Sequence, residues 1–121
     1  MYISKKEIGN AGEKIACLYL KQKGYTIIEP NFFCRQGEID IIAKDRNEYV
    51  FIEVKTRRNE LYGSPCEAVN KKKQKHIYKS TKLYIYIHKL ENEIIRFDVI
   101  EIYLNKNKCK IKHLKQVDCK E

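Results

Sequence analysis

Apolar residues near the N-terminus recur at helical spacing: Ile8, Ala11, Ile15, Leu18 and Tyr19 fall on one stripe. Ser4-x-x-Glu7 ahead of them is a capping box, and Gly24 stands where a C-terminal glycine would end the helix. After Gly24 the pattern changes to β-rich runs: Tyr25–Glu29, Asn31–Arg35, Glu38–Ala43 and Glu48–Arg57. The turn residues Asp45-Arg46-Asn47 make the last two a hairpin. A loop with Gly63 leads to a second helix, with Ser64 as N-cap, Pro65 at the first helical position and Glu67 completing a capping box. This helix is predicted to run to about His88, and a last strand, Ile94–Tyr103, precedes a lysine-studded tail. The expected order is α-β-β-β-α-β, the first β run whole or split, which is an α/β or α+β fold with a mixed central sheet. No internal repeat or linker is visible, so residues 1–121 read as one domain with a basic C-terminal extension over residues 104–121.

Composition excludes several classes. With 43% apolar residues, 34% charged, five Gly and two Pro, the 121 residues can form a core and are not a disordered chain. No apolar run approaches the ~18 residues of a membrane span, and the start, MYISKKEIGN, lacks the apolar stretch of a signal peptide. Five cysteines (17, 34, 66, 109 and 119) include no C-x-x-C pair and no His at finger spacing, against a disulfide framework or a structural zinc site. They are expected to be reduced thiols of a cytoplasmic protein.

Charge adds a clue about partners. The net charge is +9, and it is uneven: residues 1–67 carry 11 basic and 10 acidic side chains, residues 68–121 carry 14 and 6. Such asymmetry points to a polyanionic partner, nucleic acid or an acidic membrane surface. A lysine- and isoleucine-rich residue usage is the plainer explanation, and charge alone does not separate the two.

Candidate chemistry sits on the two middle strands. Strand alternation puts Glu38 and Asp40 on one face with Ile39 and Ile41 on the other, and it makes Glu53 and Lys55 neighbours about 6.6 Å apart. If the two strands pair as a hairpin, Asp40 approaches Glu53 across the ladder. Two carboxylates and an ammonium at a strand end suit metal-assisted phosphodiester hydrolysis, in which a hard cation is held by one or two carboxylates together with substrate phosphate and water. A lysine beside the cation orients the water and balances charge on the phosphate. An acid-x-Lys pair taken alone is usually structural; Asp followed by Glu-x-Lys on consecutive apolar strands is much rarer. Glu13, at the margin of the first helix's apolar stripe, is either a solvated side chain or a third carboxylate, and Gly9 and Gly12 would let that helix come close to a neighbouring backbone.

On the second helix Cys66, Val69, Ile77, Ser80 and Tyr84 define an inward stripe with Lys73 in its middle, while Lys71, Lys72, Lys75, Lys79 and Lys82 fall on the opposite side. A lysine in an apolar stripe either has an anionic partner or carries its head to water at the helix edge. Gln74, just off the stripe, is placed to add a hydrogen bond to the site. With no acid between Ala68 and Leu90, the outer lysines make a positive ridge suited to a phosphate backbone.

The motifs Gly12-Glu13, Gly24-Tyr25, Asn31, Gly37-Glu38-Ile39-Asp40-Ile41-Ile42, Phe51-Ile52-Glu53-Val54-Lys55-Thr56-Arg57, Val69-x-x-x-Lys73-Gln74 and Arg96-Phe97-Asp98-Val99 resemble, in order and spacing, those of the YraN family of small bacterial proteins. The resemblance runs from about residue 7 to residue 102. It implies a restriction-endonuclease-like core, the PD-(D/E)xK fold, similar to archaeal Holliday-junction resolvases. It further implies Mg²⁺, with Mn²⁺ as substitute, held by Glu13, Asp40 and Glu53, with Lys55 completing a catalytic set. The helix position near the substrate falls at Lys73 or Gln74. Ile39-Asp40 stands where that superfamily has Pro-Asp. Resolvases of this fold act as two-fold dimers, so the resemblance admits a homodimer.

The leading expectation is a Mg²⁺-dependent DNA endonuclease acting on branched or damaged DNA. The alternative is a non-catalytic nucleic-acid-binding module that keeps the fold and uses Lys71, Lys72, Lys73, Gln74, Lys75, Lys79 and Lys82 as its surface. Membrane binding is not expected, because the second helix lacks the Trp, Phe and Leu that insert into lipid.

Overall fold

Glycine and turn chemistry set the element boundaries in the computed structural model, which describes residues 5–57, 71–105 and 108–118. Helix α1 (Lys5–Gln22) ends in a Schellman motif. Tyr25 N–H bonds to Leu20 O at 2.9 Å and Gly24 N–H to Lys21 O at 3.1 Å, with Gly24 at φ 93. Strands β1 (Thr26–Cys34), β2 (Gly37–Asp45) and β3 (Glu48–Arg57) follow as two antiparallel hairpins. Helix α2 (Lys71–His88) crosses to β4 (Ile94–Asn105), which lies parallel to β3, and β5 (Lys108–Leu114) pairs antiparallel with β4. The sheet is five-stranded, in sequential order β1-β2-β3-β4-β5, with β3–β4 its parallel pair.

The pleat sends alternate residues to two cores. Ala16 and Leu20 of α1 pack with Val50, Ile52, Ile100 and Ile102, while Tyr84 of α2 and Leu90 pack with Phe51, Ile39 and Ile42. Opposite parity on β3 places the helices on opposite faces of the sheet. The α1 contact stripe is Gly12, Ala16 and Leu20, four residues apart and buried, whereas Ala11 is exposed and Leu18 is 62% exposed. The large apolar side chains suggest a different stripe. Ile15 and Tyr19 of the expected stripe pack at the margin of this core, while Gly12 and Ala16 at its centre let the helix axis approach the sheet.

The expected class and order hold, and the chain adds one element. The lysine-studded tail is strand β5, with Ile111 against the α1 core and His113 turned inward. Its signal is present in Lys108-Cys109-Lys110-Ile111-Lys112, where lysine occupies every second position, as a half-solvated edge strand requires. The first β run is a single strand, bent by a register shift between Ile27 and Glu29 and by Asn31 at φ 55. Its edge position lets it carry Pro30 without losing a ladder bond. The predicted caps of the second helix, Ser64, Pro65 and Glu67, lie outside the described residues.

Candidate metal centre

Strand β2 is irregular where it matters. Ile39 belongs to the α2 core and Ile41 to the α1 core, so the alternation expected for Ile39 and Ile41 slips by one residue at Asp40. The backbone opposite is irregular too, at Asn31. The last β2–β3 ladder pair is Ile41 with Ile52, and beyond it Val54 N–H, two residues past Ile52, donates to Asp40 Oδ2 at 2.8 Å. A side-chain carboxylate thus takes over where the ladder ends.

Glu13, Glu38 and Asp40 converge there, with carboxylate oxygens all within 4.8 Å of one another. Asp40 is buried, Glu13 half-buried and Glu38 exposed. Gly12 brings α1 into range: a Cβ built on it would lie 1.8 Å from Thr56 Oγ1 of β3. Gly9, expected to share this role, has nothing within 4 Å of such a Cβ. Beside the cluster Glu53 is 5% exposed and pairs with Lys55, Nζ to Oε1 3.3 Å.

The electrostatics fit uncompensated negative charge. Burial pushes the Asp40 carboxyl up, the charge of Glu53 adds to it, and the Val54 N–H opposes both; the result is about 9. Burial, then the charge of Glu38, raises Glu13 also. Crowded carboxylates at a partly open position form a hard oxygen donor set of the kind Mg²⁺ and Mn²⁺ take.

The four predicted site residues therefore lie in one region. The tight oxygen group, however, contains Glu38 rather than Glu53. Glu38 is legible as an acid two residues before Asp40 on the same strand, but alternation alone gives no reason to prefer it to a solvated edge residue. Gln74 is half-buried and lines a small cavity of about 20 Å³ together with Glu53. Ile77, Ser80 and Tyr84 are buried, while Lys75, Lys79 and Lys82 are exposed along one helical stripe. The side chains of Lys71, Lys72 and Lys73 lie outside the described residues.

A cleft of about 760 Å³ at the other end of β3 is of a different kind. Arg96 in its wall donates to Asp98 Oδ1 and Oδ2 (3.0 and 2.9 Å), Asp45 Oδ2 (3.0 Å), Glu48 Oε2 (2.8 Å) and the Tyr25 hydroxyl (2.6 Å). All five guanidinium N–H groups are used. His113 Nε2 donates to Asp98 Oδ2 at 2.6 Å, and its Nδ1 meets the Tyr19 hydroxyl at 3.0 Å. Burial would raise Asp98, but His113 and Arg96 outweigh it and hold the carboxyl below its ordinary range. This is a structural network tying β4 to α1, β5 and the β2–β3 hairpin, and it leaves no donor of Arg96 for a ligand.

Among the described residues no helix is long and apolar enough to cross a membrane. The sequence profile of the Uncharacterised protein family UPF0102 matches residues 12–102. A UPF0102 protein of Clostridium botulinum (strain 657 / Type Ba4) is 56% identical over 87% of this chain and 86% of its own length. One of Clostridium kluyveri is 52% identical over the same shares. The crystal structure of SSO0001 aligns with a TM-score of 0.38 and 16% identity, over 97% of this chain and 55% of that one. Profile, identity and coverage agree with the motifs around Glu13, Asp40 and Glu53: the chain belongs to UPF0102, the YraN family.

Proposed function

We propose that the protein is a Mg²⁺-dependent DNA endonuclease acting on branched or damaged DNA. The observation that carries this reading is the convergence of Glu13, Glu38 and Asp40 beside the Glu53–Lys55 pair. Asp40, Glu13 and Glu38 would hold the cation, with Glu53 at its edge. When bound, Mg²⁺ supplies polarisation of the phosphoryl oxygen and a lower pKa for water.

The chain's own groups do the rest. Val54 N–H fixes the Asp40 carboxylate, so its orientation needs no reorganisation when substrate arrives. Lys55 Nζ, held by Glu53, stands where it can orient the attacking water and offset charge growing on the phosphate oxygens. Lys75, Lys79 and Lys82 offer ammonium groups to backbone phosphates.

The lysine stripe by itself favours a second reading, a nucleic-acid-binding module that uses the fold as scaffold. Cleavage of labelled single-stranded, duplex, flap and four-way-junction DNA, in Mg²⁺, Mn²⁺ and EDTA, decides between them. The nuclease reading expects metal-dependent cutting that Asp40→Asn abolishes while DNA binding survives. Equal cutting by both proteins would assign the activity to a contaminant. Binding without cutting in any metal would favour the module.

A further inference from the structure

Alongside the acid cluster runs a groove of about 580 Å³ between α1 and the β1–β2 hairpin, with Glu13 and Asp40 in its wall. Leu18, Pro30 and Ile41 make its lining largely apolar, and Lys14 and Lys21 stand at its border. Leu18 is 62% exposed, a large apolar side chain left open to water beside the acid cluster. Lys14, Leu18 and Lys21 lie at i, i+4 and i+7 on α1, so the two lysines are about 10.5 Å apart along the helix axis with the apolar residue between them.

We propose that this groove seats an unpaired nucleotide of a DNA strand. Its sugar and base lie against Leu18 and Pro30, and its flanking phosphates lie at Lys14 and Lys21. The inference rests on the nuclease reading of the adjacent acids and adds the substrate class to it. Three features converge. Glu13 and Asp40 belong both to the carboxylate cluster and to the groove wall, so a strand whose phosphate reaches the cluster has the groove open beside it. Apolar walls suit the faces of a base and the carbons of its sugar, whereas a phosphate would be desolvated there without a partner. The bordering ammonium groups supply the opposite charge that the strand's phosphates require. A base inside a duplex keeps its faces stacked and must be extruded to offer them, at a cost of a few kcal/mol. An already unpaired base avoids that cost. The groove volume is within the ~300–1,000 Å³ range of small-ligand sites.

The test is binding of labelled single-stranded DNA, continuous duplex, and duplex with one extrahelical nucleotide. It uses the full chain in Ca²⁺, with cleavage in Mg²⁺ and Mn²⁺ titration run in parallel. Single-stranded and extrahelical DNA should bind about tenfold tighter than continuous duplex. Leu18→Ser should erase that difference, with Mn²⁺ affinity unchanged. Lys14→Gln with Lys21→Gln should flatten the salt dependence of single-strand binding by about 1.4 in log–log slope. Equal affinity for all three DNAs, no binding to any, or a preference that survives Leu18→Ser would overturn the proposal. So would a dimer in light scattering that Leu18→Ser dissociates, because a second copy would then fill the groove. The preference without cleavage in any metal would sink the nuclease reading and leave the groove. Cleavage without the preference would do the reverse.

Discussion

Val54 donates its backbone N–H to Asp40 Oδ2 at 2.8 Å, so a carboxylate closes the β2–β3 ladder beyond its last pair, one residue past Ile41 and two past Ile52. The relationship couples the site to the sheet. Asp40 is held by the backbone of β3 and by side-chain hydrogen bonds with Glu13 from a helix and Glu38 from its own strand.

Glu38→Gln should weaken Mn²⁺ binding by at least the ~10- to 100-fold that follows loss of an outer-shell partner, because Glu38 is one of the carboxylates that would hold the cation. Glu38 is exposed, so melting temperature without metal should stay the same or rise as like charges are relieved. Titration calorimetry reads the first effect and thermal unfolding in EDTA the second. Unchanged Mn²⁺ affinity would remove Glu38 from the site.

Proton release is the next expectation. A folded-state Asp40 pKa near 9 means that the folded protein holds a proton there that the unfolded chain has given up, across roughly pH 4 to 9. Folding stability from this group therefore falls as pH rises through that window. Asp40→Asn should be more stable than wild type in EDTA at pH 8, by ~1–4 kcal/mol. Cation binding should release close to one proton at pH 7, measured as a dependence of binding heat on buffer ionisation enthalpy.

Gly12→Ala tests how close α1 must come. A methyl there meets Thr56 Oγ1 at 1.8 Å, so helix or threonine must move. The expected cost is ~1–3 kcal/mol of stability, together with weaker Mn²⁺ binding as Glu13 is drawn from the cluster. Thr56→Ala in the same chain should restore part of both. Gly9→Ala has open space and should be neutral or slightly stabilising.

Asp98→Asn should destabilise the fold by ~3–5 kcal/mol, because it leaves the buried Arg96 with less compensation. Mn²⁺ affinity should be unaffected, since Asp98 is bonded to Arg96, His113 and Gln116 and to none of the clustered acids. Because the Asp98 pKa is lowered on folding, its contribution is present above its unfolded value near pH 4. It fades as pH falls through the folded value. Denaturant unfolding of both proteins between pH 3 and 7 should show the gap closing toward the acid end.

Lys75, Lys79 and Lys82 share one exposed stripe of α2. Replacing all three by Gln should flatten the log–log salt dependence of duplex binding by ~0.9 for each phosphate that these lysines neutralise. Fluorescence anisotropy across a salt series measures it, and an unchanged slope would place DNA elsewhere.

Local chemistry made much of this legible in the residues alone. Capping, the glycine stop at Gly24, β-branched runs and turn residues are short-range signals, and they specify the helices, the strands β2 and β3 and the alternating pairs Glu38/Asp40 and Glu53/Lys55. Motif order sufficed for the family. Tertiary structure decided what depends on residues distant in the chain. It centred the α1 contact on Gly12, Ala16 and Leu20, with Ile15 and Tyr19 at its margin and Leu18 exposed, because small residues at 12 and 16 allow close approach. It made the lysine tail a strand, because β4 had an open edge whose N–H and C=O groups needed partners. It also shifted the alternation at Asp40, because Val54 N–H beyond the ladder took a carboxylate as acceptor, and that shift is what brings Glu13 and Glu38 to one point.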